Sequence, residues 1–221
     1  MFTGIVQARG NLISASPTPA GKRLAVTLST LPAASLTPGD SVCVSGVCLT
    51  LLAASAGQMS FDVITETLNR TTLGQKRPGD PLNLELSLQP NSFVGGHFVQ
   101  GHVDAVGRIT SIQNTPQDWR ITTRVPPECL PLIVPKGSIA IEGVSMTIAA
   151  VDARAGTFTL AVIPTTLERT TLGSLGVGDA VNLETDILAR TVVHYLQNLG
   201  LSAGPRSAPL TLASLVENGF V

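Results

Sequence analysis

At 221 residues, 43% of them hydrophobic and 13% charged, the chain can bury enough apolar surface for one large domain or two small ones. A formal charge of −1 with no basic run excludes phosphate-driven nucleic-acid binding. Three cysteines without paired spacing argue against a disulfide framework or a zinc site, and no apolar run reaches the ~18 residues of a membrane span, so a soluble, cytoplasmic protein is expected.

In chain order, Phe2–Ser14, Leu24–Ser29, Ser41–Leu52, Met59–Ile64 and Pro81–Leu86 read as strands rich in Val, Ile, Leu and Thr. Turn clusters such as TPGD and RPGD separate them. In MSFDVI the alternation puts Met59, Phe61 and Val63 on one face. TLNRTTLG reads as a short helical turn beginning near Thr67 or Thr71. The series then starts again. GVCLT at 46–50 returns as GVSMT at 143–147, and GIV at 4–6 returns as GHV at 101–103, both 97 positions later. TETLNRTTLG at 65–74 returns as PTTLERTTLG at 164–173, and GDPLNLE at 79–85 as GDAVNLE at 178–184, both 99 positions later. Four ordered matches at nearly one spacing mark a tandem duplication. The expected units are residues 1–96 and 97–185, each a small closed barrel, because closure removes exposed strand edges.

Past the second unit the period changes. Ile187, Leu188, Val192, Tyr195, Leu196 and Leu199 follow helical spacing, Asp186 stands at the N-cap position and Gly200 supplies a stop. This predicts a helix over 186–200 whose apolar stripe seeks a partner, followed by a tail over 201–221.

The segment GGHFVQGHVD, residues 95–104, holds two of the three histidines. Under the repeat, His102 stands opposite Ile5 and Cys48 opposite Ser145, so the units read as copies of one binding site that diverged in their reactive groups. Gly4 and Gly101 are placed where backbone approaches a flat ligand.

MFTGIV, the GVCLT and GVSMT pair, GGHFVQGHVD and IPTTLERTTLG together resemble the alpha-type riboflavin synthase family, over roughly residues 1–200 and in the right order. The resemblance implies an all-β protein of two six-stranded Greek-key barrels plus a C-terminal helix that gathers three chains. It implies dismutation of two 6,7-dimethyl-8-ribityllumazine molecules, without metal or cofactor, at a site between barrels of adjacent subunits. It also allows an association with lumazine synthase. Carried over residue by residue, Gly4, Ile5 and Val6 join Ser145, Met146, Thr147 and the segment Ile163, Pro164, Thr165, Thr166, Leu167 and Glu168 in a C-terminal lumazine pocket, with Lys136 at its rim. The N-terminal pocket draws on Cys48, Leu49, Thr50, the segment Asp62, Val63, Ile64, Thr65, Glu66 and Thr67, and on Gly101, His102 and Val103. Ser41 or Cys48 would help deliver a nucleophile, His102 would move a proton at the reactive methyl group, and Asp186 would contribute at the intersubunit site.

Plainer roles stand beside these. If the segment is a strand, His97 and His102 face opposite ways, which gives His97 a structural role. Cys43 and Cys129 read as packing residues, His194 as an interface or solvent residue, and Asp186 equally well as a helix cap. The principal rival is a non-catalytic lumazine- or flavin-binding protein of the same fold; Ser41, Cys48, His97 and His102 favour the enzyme. A flavoreductase would need a GxGxxG turn opening a helix, and none is present.

Overall fold

The computed structural model describes residues 1–32, 36–115 and 118–199. The expected tail over 201–221 and the Gly200 stop lie outside the described residues.

Residues 1–187 form one compact unit. Its first half contains β1 (Ala8–Thr18), β2 (Gly21–Thr27), β3 (Ser41–Val44), β4 (Val47–Ser55), β5 (Gln58–Ile64) and β6 (Pro81–Leu86), closed in the order β1-β2-β5-β4-β3-β6. The second half repeats this with β7 (Ala105–Thr115), β8 (Asp118–Arg124), β9 (Ser138–Ile141), β10 (Val144–Asp152), β11 (Thr157–Ala161) and β12 (Ala180–Thr185), closed as β7-β8-β11-β10-β9-β12. Short helices, α1 (Thr65–Arg70) and α2 (Pro164–Arg169), each followed by a 3₁₀ turn, link the last two strands of each barrel. Bulges between Leu12 and Ser14 and between Leu51 and Ala53 recur 97 positions later, between Ile109 and Ser111 and between Ile148 and Ala150. They supply the local bend that closing six short strands requires. Each barrel has its own aliphatic core, around Leu12, Leu24, Phe61 and Leu84 in the first and Ile109, Ile121, Phe158 and Leu183 in the second.

Three expectations need correction. The strand expected over Phe2–Ser14 starts only at Ala8 and runs on to Thr18, the preceding residues making no more than the isolated Phe2–Val99 bridge. The run Ser41–Leu52 is a hairpin, because Ser45 and Gly46 both take positive φ, 47° and 86°, and turn the chain in two residues. Helix α1 starts at Thr65 rather than near Thr67 or Thr71. Ile64 stands before it with extended backbone and offers no side-chain cap, so the usual signal of a helix start is missing.

The barrels meet through their repeated motifs. The hairpin tips touch backbone to backbone: a Cβ on Gly143 would lie 2.6 Å from the Gly46 nitrogen, and one on Gly46 would lie 2.8 Å from that of Gly143. Asn83 Nδ2 donates across to the Glu142 carbonyl at 2.8 Å, and Asn182 Nδ2 to the Ser45 carbonyl at 2.8 Å. The amides of Thr171 and Thr72 return bonds to Asn83 Oδ1 and Asn182 Oδ1. Phe2 and Val99 exchange backbone hydrogen bonds of 2.7 and 3.1 Å, so the segments leading into the two barrels pair with each other.

The symmetry breaks at Ser45 and Glu142, equivalent positions with unlike side chains. Glu142 is buried; its Oε1 accepts from Asn182 N at 2.7 Å and Thr72 Oγ1 at 3.3 Å. Burial raises this carboxyl above its ordinary value, opposed by the positive charge of Lys76 and by the donors around it.

Helix α3 (Ile187–Asn198) forms where the helical spacing predicts it, with Asp186 immediately before it. Leu188, Val192 and Tyr195 lie exposed along it. No helix among the described residues is long and apolar enough to cross a membrane.

Candidate active site

The segments entering the two barrels do not stay with their own repeats. Residues 3–6 precede β1, yet Ser145 N on β10 donates to the Gly4 carbonyl at 2.8 Å. Residues 100–103 precede β7, yet Cys48 N on β4 donates to the Gly101 carbonyl at 2.8 Å. Val6 packs on the second core and Val103 on the first. The exchange brings together the sets expected for each pocket: Gly4, Ile5 and Val6 with Ser145, and Gly101, His102 and Val103 with Cys48.

The glycines now have a physical reason. A Cβ on Gly4 would lie 2.6 Å from that of Ser145, and one on Gly101 would lie 2.6 Å from that of Cys48; φ is +74° and +77°. Only glycine fits both the contact and the dihedral. The close partner is protein backbone and side chain, not the flat ligand that sequence reasoning placed there. Gly96 has a similar role, since a Cβ would sit 2.2 Å from the Thr3 carbonyl and 2.8 Å from Ser145 Oγ.

On the first shelf, Cys48 is half-buried and Thr50, two residues on, is exposed on the same strand face. Ser41 pairs with Thr50 across β3 and β4. Leu49 and Val63 point into the core, so they can offer a ligand only their backbone. Ile64 is 55% exposed at the end of β5. Asp62 holds Arg23 through bonds of 2.7 and 2.8 Å, which lower its carboxyl below the ordinary value. A cleft of about 420 Å³ opens beside it, walled by Ser16–Ala20, Arg23 and Asp62–Ile64. Thr65 Oγ1 donates to the Ala20 carbonyl, Glu66 pairs with Arg70 along α1, and the Thr67 carbonyl accepts from Thr71 Oγ1, so these three are committed to local structure. His102 lies exposed at the edge.

On the second shelf, Ser145 is half-buried, Thr147 exposed and Met146 packed in the core. Ile163 is 63% and Ile5 49% exposed. Pro164 and Thr165 open α2 and lie exposed, the Thr166 carbonyl accepts from Thr170 Oγ1, Leu167 packs on the core, and the Glu168 carbonyl accepts from Arg9 at 3.4 Å. Lys136 is exposed with φ +67°, at the position where the first repeat has Gly39 with φ +98°. Its amide donates to the Ile148 carbonyl, as Gly39 N does to Leu51 O. A left-handed lysine costs on the order of 1 kcal/mol, so this position keeps a cation against the backbone's preference.

His97 is hydrogen-bonded, as expected of it, but not for the reason the strand argument gives. Residues 95–104 are not a strand, so the opposite-faces argument fails. His97 Nδ1 lies 2.7 Å from Ser145 Oγ. Burial lowers its pKa below 6.5, against the raising charge of Asp186. A neutral imidazole there can accept the Ser145 proton, and the negative charge of Asp186 is felt at the ring. Nε2 of His97 is buried with no hydrogen-bond partner among the described residues. The signal available in the sequence was Gly96, a residue without Cβ beside a histidine.

The remaining thiols are quiet. Cys43 sits opposite Cys48 in the β3–β4 pair, but burial holds its thiol well above 9.0, and burial pushes Cys129 to about 11. Among the described residues no three His, Cys, Asp or Glu side chains gather as a metal would require.

The lumazine binding domain model matches twice, over residues 3–87 and 100–186. Riboflavin synthase of Mycobacterium tuberculosis (strain ATCC 25618 / H37Rv) is 41% identical over 207 residues, 92% of this chain and all of the relative. Those of Photobacterium phosphoreum and Bacillus subtilis (strain 168) are 34% and 33% identical over the full length of both chains. Crystal structures of LumP complexed with 6,7-dimethyl-8-(1'-D-ribityl) lumazine and with riboflavin give TM-scores of 0.75 and 0.76 at 25% and 27% identity. Each covers 84% of this chain and 99% of LumP. With the domain present in tandem and the sequence likeness running from end to end, the chain belongs to the riboflavin synthase family.

Proposed function

We propose that the chain converts two molecules of 6,7-dimethyl-8-ribityllumazine into riboflavin and 5-amino-6-ribitylamino-uracil by moving a four-carbon unit from one to the other. The two products contain all the atoms of the two substrates, so no co-reactant is required. The observation that carries the reading is the pair of equivalent shelves with unequal groups: Cys48, Ser41 and His102 on one, Ser145 and His97 on the other. A reaction between two identical molecules needs two similar seats and a chemical difference between them. Holding both rings in register removes much of the bimolecular entropy cost. His97 takes a proton from Ser145, while Cys48 or Ser41 serves nucleophile delivery and His102 proton transfer at the methyl group. Lys136 meets a carbonyl or anionic edge of the ring.

Both shelves lie open in the single chain, with Ile5, Ile64 and Ile163 about half exposed or more. This supports an active site completed by the opposite shelf of a neighbouring chain, in a trimer gathered through the apolar stripe of α3. The test of the activity is incubation of the purified chain with the lumazine alone, following both compounds by absorbance. One riboflavin for every two lumazines consumed is expected. Fluorescent binding without turnover would make the chain a non-catalytic lumazine-binding protein of the same fold.

A further inference from the structure

The last strand of each barrel carries the repeated NLE one residue before its end, and its glutamate is a buried carboxylate with a shared task. Glu85 Oε1 accepts from Thr3 N and Thr3 Oγ1, both at 2.7 Å, and Oε2 accepts from Gly4 N at 2.9 Å. Glu184 Oε1 accepts from Gln100 N at 2.6 Å, and Oε2 from Gly101 N at 2.8 Å and His102 N at 2.9 Å. Burying a carboxylate is unfavourable unless donors surround it, and each of these has at least three. In each case the donors belong to the segment that crosses to the other barrel. Thr3–Gly4 is held by Glu85 of the first barrel and lies on Ser145 of the second; Gln100–His102 is held by Glu184 of the second and lies on Cys48 of the first.

We infer that Glu85 and Glu184 are positioning residues acting crosswise: Glu85 sets the Gly4–Ile5 wall of the Ser145 shelf, and Glu184 sets the Gly101–His102 wall of the Cys48 shelf. The inference rests on the shelves being the two lumazine seats. Glutamate suits the task because its two oxygens satisfy three donors at once in a fixed fork. Glutamine keeps one oxygen and turns an NH₂ toward a backbone N–H, so the wall shifts while the barrel strand stays. The glutamates touch no ring atom; they act through the residues they hold.

Double-mutant cycles on the full chain test the crossing. Glu85→Gln, Glu184→Gln, Ser145→Ala and Cys48→Ser are made singly and in the four glutamate–shelf pairs, with kcat and KM measured for riboflavin formation and lumazine affinity measured by fluorescence. Each glutamine variant is expected to lose about tenfold or more in kcat/KM, the scale of one lost hydrogen bond to a charged group. Glu184→Gln should couple with Cys48→Ser and be additive with Ser145→Ala; Glu85→Gln should show the reverse. Additivity of each glutamate with both shelf residues, or coupling of Glu85 with Cys48 and Glu184 with Ser145, would overturn the inference. If a glutamine variant does not fold, Thr3→Val, which removes one donor to Glu85, and Glu184→Asp, which shortens the reach, enter the same cycles with the same expected pattern. If the wild-type chain binds lumazine without turnover, the functional reading fails while the crossing is still decided by the cycles on affinity.

Discussion

The Cys48 shelf and the Ser145 shelf share a backbone plan and differ in chemistry. Each is the start of a barrel's fourth strand, faced by a glycine whose carbonyl accepts the strand's amide at 2.8 Å. On that common frame the first carries the Cys48 thiol, with the exposed His102 following the facing glycine in the chain, and the second a hydroxyl joined to a half-buried imidazole at His97. The duplication thus keeps one backbone plan and varies the polar side chains set on it. What differs between the shelves is therefore a better guide to chemistry than what they share.

The harshest way to break the comparison is to remove what is common. Gly101→Ala and Gly4→Ala each force a Cβ to 2.6 Å from the neighbouring Cβ at positive φ. Each should cost about 2–3 kcal/mol of stability in denaturant unfolding, and turnover should fall by about a hundredfold or more as the shelf wall moves. Equal effects are expected, because the backbone plan is shared. Removing what differs should separate the shelves. Ser145→Ala and His97→Asn should lower kcat by about 10²-fold, the usual scale for a lost proton-transfer group. His97 must be neutral to accept a proton, so wild-type activity should decline as pH falls through its lowered pKa, and His97→Asn should abolish that acidic limb. The same depressed pKa contributes stability that is present above pH 6.5 and lost as pH falls through the folded-state value, which a thermal melt against pH would register.

Smaller effects sharpen the asymmetry at the axis. Glu142 has a raised pKa, so its ionisation opposes folding increasingly as pH rises above the ordinary 4.5 and through the folded value. Glu142→Gln keeps an acceptor for Asn182 N and Thr72 and should stabilise the chain at pH 8 by on the order of 1 kcal/mol, flattening the fall in Tm that sets in as pH rises above 4.5. Lys136→Gly should gain a few tenths of a kcal/mol, as Gly39 already enjoys in the first repeat, while weakening lumazine binding.

Much of this was legible in the residues. Shifts of 97 and 99 positions revealed two copies, and a spacing argument within one copy sufficed to expect a barrel. The Ser45–Gly46 turn was hidden because serine is an unusual first residue for a turn with two positive φ angles, leaving the Ser41–Leu52 run looking continuous. The segment exchange was illegible for a deeper reason: strand periodicity reports which face is buried but not which barrel buries it. The orientation of His97 was misjudged because period-two reasoning was applied to a stretch that is not a strand. Asn83, Glu85, Asn182 and Glu184 did leave a mark, polar residues repeated identically inside otherwise apolar runs, and buried polar groups that recur in both copies are there to be bonded.

The most direct test of the two-shelf account is subunit complementation. A chain disabled on the first shelf, Cys48→Ser with His102→Gln, is co-expressed with one disabled on the second, Ser145→Ala with His97→Asn, and mixed oligomers are purified through two different tags. Each variant alone should make almost no riboflavin, and the mixed oligomer should regain a substantial fraction of wild-type turnover, because an intact first shelf then faces an intact second shelf on a neighbour. Mixed oligomers as inactive as their parents would contradict the account of one site built from unlike shelves of adjacent chains.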